Sequence, residues 1–312
     1  MASNVLIQLL PTASERPHPA LSADQRLARL RELLRPLARV VVAYSGGVDS
    51  SLVLAVAREE LGDGALGVIG RSDSYSEREL ALALDQARAF GARIEVVTTG
   101  ELADPEFRSN PADRCYHCKR ALYRELSGVA RRHGASAILD GTIHDDLSDH
   151  RPGRRAAEEG AVRSPLAELG FTKADVRAAA AALGIASAEK PASPCLASRI
   201  PYGTEITREN LAMIERAEDA LRALGFADVR VRHYGETARI EVPLTELSRL
   251  AQSGVRERVV EALKRSGYTR VTCDLEGLRS GNLNRELEKS AGPGADARAG
   301  MAVPRAPSTI RP

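Results

Sequence analysis

One stretch limits what this chain can fold into: Arg39–Ser51, which reads RVVVAYSGGVDSS. Val40, Val41, Val42 and Ala43 make a short apolar run rich in β-branched residues, the pattern of a strand buried on both faces. Ser45-Gly46-Gly47 breaks the run with residues that turn sharply and let backbone N–H groups face a ligand. From Ser50 onward the spacing of Leu52, Val53, Ala55 and Val56 is helical. A strand, a glycine turn and a helix N-terminus in succession form an anion site built from amide dipoles, and phosphate is its usual occupant.

A Walker A loop would need GxxxxGK[ST], with a lysine for the β- and γ-phosphates, and Ser50-Ser51 follow Asp49 instead. A dinucleotide fingerprint would need GxGxxG, which Gly46-Gly47 does not supply. The stretch resembles the SGGxDS loop of the ATP pyrophosphatases, the PP-loop. That resemblance implies a loop that cradles the β,γ-pyrophosphate of ATP through Ser45, Gly46, Gly47, Val48, Asp49, Ser50 and Ser51, with Asp49 helping to hold Mg²⁺. It also implies attack of a substrate oxygen on the α-phosphate, giving an adenylate and pyrophosphate. The loop by itself does not name the substrate.

A chain of 312 residues has room for about two domains of roughly 150 residues. A formal net charge of +2 gives no broad basic field and so no argument for a nucleic-acid partner. Apolar runs fall far short of the roughly 20 residues of a membrane span. Residues 1–22 lack the basic region and long apolar core of a secretory signal and read as a flexible extension. Four cysteines without such a signal fit a reducing cytoplasm, where thiols bind metals or do chemistry.

Strand and helix patterns alternate along the first part: helix at Asp24–Leu37, strand at Val40–Ala43, helix at Ser50–Leu61, strand at Ala65–Ile69, helix at Glu77–Phe90, strand at Ile94–Val97. A helix at Tyr116–His133, a strand at Ala137–Leu139 and a helix at Lys173–Leu183 follow. This predicts an α/β fold with a doubly wound parallel sheet. Ligands of such sheets sit at the carboxyl ends of the strands, which is where Ser45, Arg71, Thr98 and Gly141 fall. Past Pro201 the pattern changes to helices at Asn210–Leu224, Leu244–Ala251 and Val255–Arg265, with strands at Val229–Val231, Ala238–Val242 and Tyr268–Cys273. The predicted division is an ATP-binding domain over 23–200 and a smaller α+β domain for substrate or oligomerisation over 201–288. Residues 289–312, rich in Gly, Ala and Pro, read as disordered.

Cys115 and Cys118 stand as CYHC within NPADRCYHCK. A CxxC pair is open to redox, zinc or iron–sulfur readings, and the second CxxC or CxxH that zinc prefers is missing. Cys195 lies in KPASPCLASRIPYGT, where Pro191, Pro194 and Pro201 enforce a stiff loop that is expected to face the cleft. Cys273 sits in a strand pattern and reads as core. Asp145, Asp146 and Asp149 cluster after the fourth strand, to bind metal, to organise the loop or to cap a helix starting near Pro152.

With these stretches the chain resembles the LarE family, sulfur transferases of nickel-pincer cofactor biosynthesis. YSGGVDSS, NPADRCYHCK, DGTIHDDLSDHRPGRRAAEE, VRSPLAELGFTK, KPASPCLASRIPYGT, VRVRHYG and DLEGLRSGNLN carry the likeness over about residues 24–285. Ile143 departs from it, since the family usually has Asn there. The resemblance implies that a carboxylate of pyridinium-3,5-biscarboxylic acid mononucleotide is adenylated and then attacked by sulfur on Cys195. In single-cysteine members that cysteine becomes dehydroalanine. In three-cysteine members, which Cys115, Cys118 and Cys195 match, a [4Fe–4S] cluster carries an exchangeable sulfide, and this is the favoured source here. Arg199, four residues after Cys195, is a candidate for steering a carboxylate or phosphate. Arg232 and Arg279 are candidates for the mononucleotide phosphate. A homo-oligomer and handover to a nickel-inserting maturation protein are implied as well.

Three other functions stand against this one. A tRNA thiolase would need a basic, RNA-binding surface. An amide synthetase of the NAD or GMP synthetase type would leave Cys195 without a task. A nucleotide-binding regulator would keep the loop without turnover.

Overall fold

Helix α1 (Ala23–Leu34) begins where Ser22 and Gln25 form a reciprocal capping box, and it turns Leu27, Leu30 and Leu34 inward. This computed structural model describes residues 21–147, 152–191 and 193–279. Nearly all of the expected N-terminal extension, Asp149 and the expected C-terminal tail lie outside the described residues. Strand β1 (Val40–Ala43) leads through the glycine loop into α2 (Val48–Leu61). The order continues with β2 (Ala65–Arg71), α3 (Glu77–Ala89), β3 (Arg93–Thr98), α4 (Arg114–His133), β4 (Ala137–Leu139), α5 (Pro152–Glu159) and α6 (Lys173–Ala182).

Among the described residues these strands form one parallel sheet in the order β3-β2-β1-β4. Side chains alternate between its faces, because successive strand residues point to opposite sides. Val40 and Val42 enter one core with Leu30, Leu34, Leu52 and Val176, while Val41 enters the other with Tyr123, Leu126 and Ile138. Burial on both faces is why β1 reads as an unbroken apolar run rather than an alternating one. Fully burying a leucine such as Leu30, Leu34 or Leu52 stabilises the fold by about 1.5–3 kcal/mol. Chain order reverses between β1 and β4, which opens the crevice where a doubly wound sheet receives its ligand.

The remaining elements are α7 (Arg208–Ala223), β5 (Arg230–Tyr234), β6 (Thr237–Glu241), α8 (Val255–Arg265) and β7 (Arg270–Cys273). Strands β5 and β6 are antiparallel, and β7 joins β6 in parallel after α8. Leu221, Phe226, Val231, Ile240, Leu263 and Tyr268 make their core. Here one expectation is corrected. Cys273 is exposed, because β7 is the edge strand of its sheet and this residue ends it.

The chain divides into two compact units, and the division is not linear: Pro105–Ala112 belongs with the part from Cys195 onward, while Asp113–Pro194 belongs with the part up to Asp104. The reason is a clasp. Asn110, fully buried at φ +55°, donates from Nδ2 to the carbonyls of Ile200 (3.3 Å), Pro201 (2.8 Å) and Thr204 (3.1 Å). Backbone bonds from Gly203 to Asn110 (2.9 Å) and from Ile206 to Arg108 (2.8 Å) extend it. The sequence reading, which placed one boundary at residue 200, differs from this by the captured segment and by six residues at Cys195.

Candidate active site

In the first unit the site is built around the glycine loop. Gly46 has φ +71°, and a Cβ there would meet the Ala83 Cβ at 2.6 Å, so only glycine fits. Gly141, just past β4, lies so close to the start of α2 that a Cβ would come within 2.6 Å of the Ser50 nitrogen. Inside the loop, Ser45 N donates to Ser50 Oγ (3.2 Å), and Ser50 and Ser51 both donate back to the Gly47 carbonyl (3.1 and 2.8 Å). Tyr75 braces the loop from outside by donating to the Ser45 carbonyl (2.9 Å). The first-turn N–H groups of α2 have no acceptor within the helix and open toward the crevice.

Asp140, at the end of β4, is buried and accepts from Thr142 N (3.1 Å), Thr142 Oγ1 (2.8 Å), Ser164 Oγ (2.7 Å) and Tyr123 OH (3.1 Å). Both its oxygens are therefore occupied, and it organises the crevice floor. Burial, then the Asp140 charge, push the Tyr123 phenol far above its ordinary value. The acidic cluster behaves in the same structural way: Asp145 Oδ2 accepts from Lys173 N (2.9 Å) and Asp146 Oδ2 from Ile143 N (3.2 Å). Asp145 thus caps the start of α6. Ile143, where the resembling family has Asn, points into the core.

Asp49, in the first turn of α2, presents its carboxylate half-exposed, and the Lys173 ammonium stands 2.8 Å from each of its oxygens. Lys173 was not singled out from the sequence. Mg²⁺ commonly binds one or two carboxylates together with substrate phosphates, and a single acid at the edge of an amide-lined phosphate cradle fits that requirement.

Cys115 and Cys118 lie one turn apart at the start of α4, on one face by their i, i+3 spacing. Cys115 is exposed and Cys118 half-buried, and neither is in a disulfide. Such a pair fits two thiolate ligands of one metal group.

In the second unit Cys195 begins a 3₁₀ turn, Leu196–Arg199, and is half-buried. Its carbonyl accepts from Ser198 N (2.9 Å) and from Arg199 Nη1 (3.3 Å). Arg199 is only 3 % exposed and forks onto Glu218, 1 % exposed, at 2.8 and 3.2 Å. Glu218 also accepts from Arg222 (2.8 Å) and from Val231 N (3.1 Å). Burial alone would push the Glu218 carboxyl up, but Arg199 and Arg222 outweigh it and hold the carboxyl below its ordinary value. Arg232 donates to the Ser198 carbonyl (2.7 Å) and to the fully buried Glu241 (2.8 Å). Two of the three arginines singled out from the sequence are thus enclosed in ion pairs that hold the Cys195 turn. Arg279 is half-buried and paired with Glu276, and its carbonyl accepts from Arg230 (3.0 Å).

Arg230 was missed by sequence reasoning. Burial, and then the neighbouring charges of Arg199 and Arg232, lower the affinity of its guanidinium for its proton. Among the described residues no carboxylate forms an ion pair with it. The Glu241 and Glu218 carboxylates oppose that lowering, and Nη1 of Arg230 donates to the Arg279 carbonyl.

The strand order, the glycine loop at its reversal point and the acid at the head of α2 define the class: an ATP pyrophosphatase of the PP-loop type. No family model matches the chain. It is similar to the pyridinium-3,5-bisthiocarboxylic acid mononucleotide synthase of Lactiplantibacillus plantarum, with 40 % identity over 264 residues, covering 84 % of this chain and 95 % of that protein. An uncharacterised protein of Synechocystis sp. is 44 % identical over 266 residues, covering 85 % and 99 %. A glutamine-hydrolysing GMP synthase chain of Methanosphaerula palustris is 31 % identical over 215 residues, covering 62 % and 67 %, and extends the likeness to other PP-loop enzymes. The chain belongs to the LarE family of PP-loop enzymes.

Proposed function

We propose that this enzyme is an ATP-dependent sulfur transferase that adenylates a carboxylate of pyridinium-3,5-biscarboxylic acid mononucleotide and converts it to the thiocarboxylate. The observation that carries the reading is the likeness to the bisthiocarboxylic acid mononucleotide synthase, because it covers 84 % of this chain and 95 % of that protein. In this reading the loop N–H groups and the Ser45 and Ser50 hydroxyls hold the β- and γ-phosphates. Asp49 would hold Mg²⁺, which would supply charge neutralisation that makes pyrophosphate a better leaving group. A carboxylate oxygen of the substrate attacks the α-phosphorus in line, and the bond to pyrophosphate breaks.

The acyl-adenylate so formed accepts sulfur at its carbonyl carbon, and AMP leaves with the bonding electron pair. Cys115, Cys118 and Cys195 would hold a [4Fe–4S] group, which would supply an exchangeable sulfide. Without that group, the Cys195 thiolate itself attacks. Loss of its Cα proton then breaks the Cβ–Sγ bond and leaves dehydroalanine on the protein. Arg230 takes an anionic group of the substrate, with Arg279 beside it, while Arg199 and Arg232 keep the Cys195 turn in place. A homo-oligomer, and delivery of the product to a nickel-inserting maturation protein, complete the proposal.

The test is pyrophosphate release and thiocarboxylate formation measured together under anaerobic conditions, in wild type and Cys195→Ala. The reading expects the variant to release pyrophosphate in a first turnover and to form no thiocarboxylate. Amide formation that survives Cys195→Ala would point instead to an amide synthetase. Iron analysis of Cys115→Ala, Cys118→Ala and Cys195→Ala separates the two sulfur sources, since a shared cluster is lost in each.

A further inference from the structure

At the amino ends of its strands, opposite the glycine loop, the parallel sheet of the first unit borders a cavity of about 180 Å³. Arg39, Val40, Gly64, Leu66, Arg93 and His133 are among its walls. Arg39 immediately precedes β1 and Arg93 opens β3, so the two guanidiniums reach the cavity from either side of β2. Each is anchored once, through Nη1: Arg39 donates to the His133 carbonyl (3.1 Å) and Arg93 to the Asp63 carbonyl (3.3 Å). Among the described residues neither forms an ion pair, because the acids nearby are taken. The Asp63 carboxylate pairs with Arg58 (3.0 Å), and Glu95 with Arg132 (2.6 Å) and His133 (3.1 Å). A guanidinium carries five donors, so most of those on Arg39 and Arg93 have no protein acceptor. The chain also reaches Arg39 through a strained turn. Ala38 has φ +56° and ψ −58°, and the Arg39 N–H donates to the Leu37 carbonyl, the rare form of γ-turn. Such a conformation costs a non-glycine residue about 1–3 kcal/mol and persists only where its surroundings enforce it. Gly64 packs against that turn, where a Cβ would lie 2.3 Å from the Ala38 carbonyl oxygen.

We propose that this cavity is a second anion site, which takes a phosphate group between Arg39 and Arg93 at the far end of the sheet from the glycine loop. Its size sets the class of ligand. A volume of 180 Å³ holds about six waters at roughly 30 Å³ each. Pockets for whole organic ligands run from roughly 300 to 1,000 Å³. The space therefore suits an ionic head rather than a nucleotide. Planar guanidinium forks on two sides match the several oxygens of a tetrahedral dianion. The negative end of the α4 dipole lies at His133, and Arg39 covers it there. Val40 and Leu66, both buried, form an apolar part of the wall and keep screening water away from the charges. A bound phosphate would tie the start of β1 to the start of β3 and stabilise the first unit without entering the reaction.

The test is a calorimetric titration of the full chain with inorganic phosphate, after the glycine loop has been saturated with α,β-methylene-ATP and Mg²⁺. Wild type is expected to bind phosphate under these conditions. Arg39→Met and Arg93→Met should each weaken that binding about tenfold, as loss of a charge-assisted contact does. Both variants should keep wild-type affinity for the ATP analogue. Arg88→Met, which removes an exposed arginine of α3 away from the cavity, should leave phosphate binding unchanged. Methyl phosphate, titrated in the same way, separates the two sources of the group. Equal affinity for it assigns the site to a phosphomonoester on a larger molecule, and binding of inorganic phosphate alone assigns it to the free ion. Absence of phosphate binding in wild type, or equal binding in wild type and both variants, overturns the proposal. A parallel loss of analogue affinity in Arg39→Met and Arg93→Met overturns it too, since the two arginines would then act through the fold. Failure of the analogue to bind wild type counts against the loop reading alone, because the phosphate comparison between wild type and variants can be made without it.

Discussion

At the scale of single residues, Glu218 shows how much of the Cys195 turn depends on buried charge. Its buried carboxylate is shared by Arg199, Arg222 and the Val231 N–H. Glu218→Gln leaves the buried Arg199 guanidinium without its counter-charge, while Arg222 keeps Asp219, and breaking such a buried pair costs about 3–5 kcal/mol. Urea denaturation should show that loss, and an unchanged midpoint would contradict it. The same residues mark the limit of sequence reasoning. Arg199 beside a cysteine reads as a substrate ligand, because its partner lies 19 positions downstream on another helix. Arg230, which among the described residues forms no ion pair, looks no different from Arg232 in VRVRHYG. Replacing Arg230 by Met should raise KM for the anionic substrate at least about tenfold, with smaller change in kcat. A change confined to kcat would remove Arg230 from the substrate's anion. A lysine directly after a helix-capping threonine is the one local signal that could have drawn attention to Lys173.

At the scale of elements, the strand–loop–helix unit was legible because every level agrees: β-branched run, glycine turn, helical spacing, and a parallel sheet burying both faces. Gly46→Ala should therefore abolish ATP binding, since a Cβ 2.6 Å from Ala83 forces either the loop or α3 to move. Retained affinity, measured by calorimetry, would contradict the rigidity assigned to the loop. The NPADRC segment was legible only as a loop. Its role as a clasp depends on three carbonyls about ninety positions away. Asn110→Asp preserves tolerance of φ +55° but removes the Nδ2 donor, so it should destabilise the unit from Cys195 onward by about 1–3 kcal/mol. Thermal unfolding checks this, and a wild-type melting temperature would show that the side-chain bonds contribute little.

At the scale of the whole molecule, the captured segment makes the two units discontinuous in sequence, and linear boundaries drawn from composition do not detect such an exchange. The second unit also buries a titratable pair in its core. His233 Nδ1 lies 3.2 Å from the Tyr268 hydroxyl, and burial lowers the imidazole pKa from its ordinary 6.5. Protons are therefore taken up by the unfolded chain first, so the neutral buried ring contributes stability above about pH 6.5 that is lost as pH falls below it. Glu218, also lowered, adds a second loss as pH falls below about 4.5. Unfolding free energy measured from pH 8 to 4 should decline below about 6.5, and His233→Gln should flatten that part of the curve. A decline that persists unchanged in the variant would assign it to other groups.

The most direct measurement of the central claim is the mass of the pyridinium mononucleotide after anaerobic incubation with the enzyme and Mg-ATP. The account predicts a product with one carboxylate oxygen replaced by sulfur, formed together with AMP and pyrophosphate and absent with Cys195→Ala. Substrate recovered unchanged after ATP has been consumed, or product of the same mass from the Cys195→Ala enzyme, would contradict it.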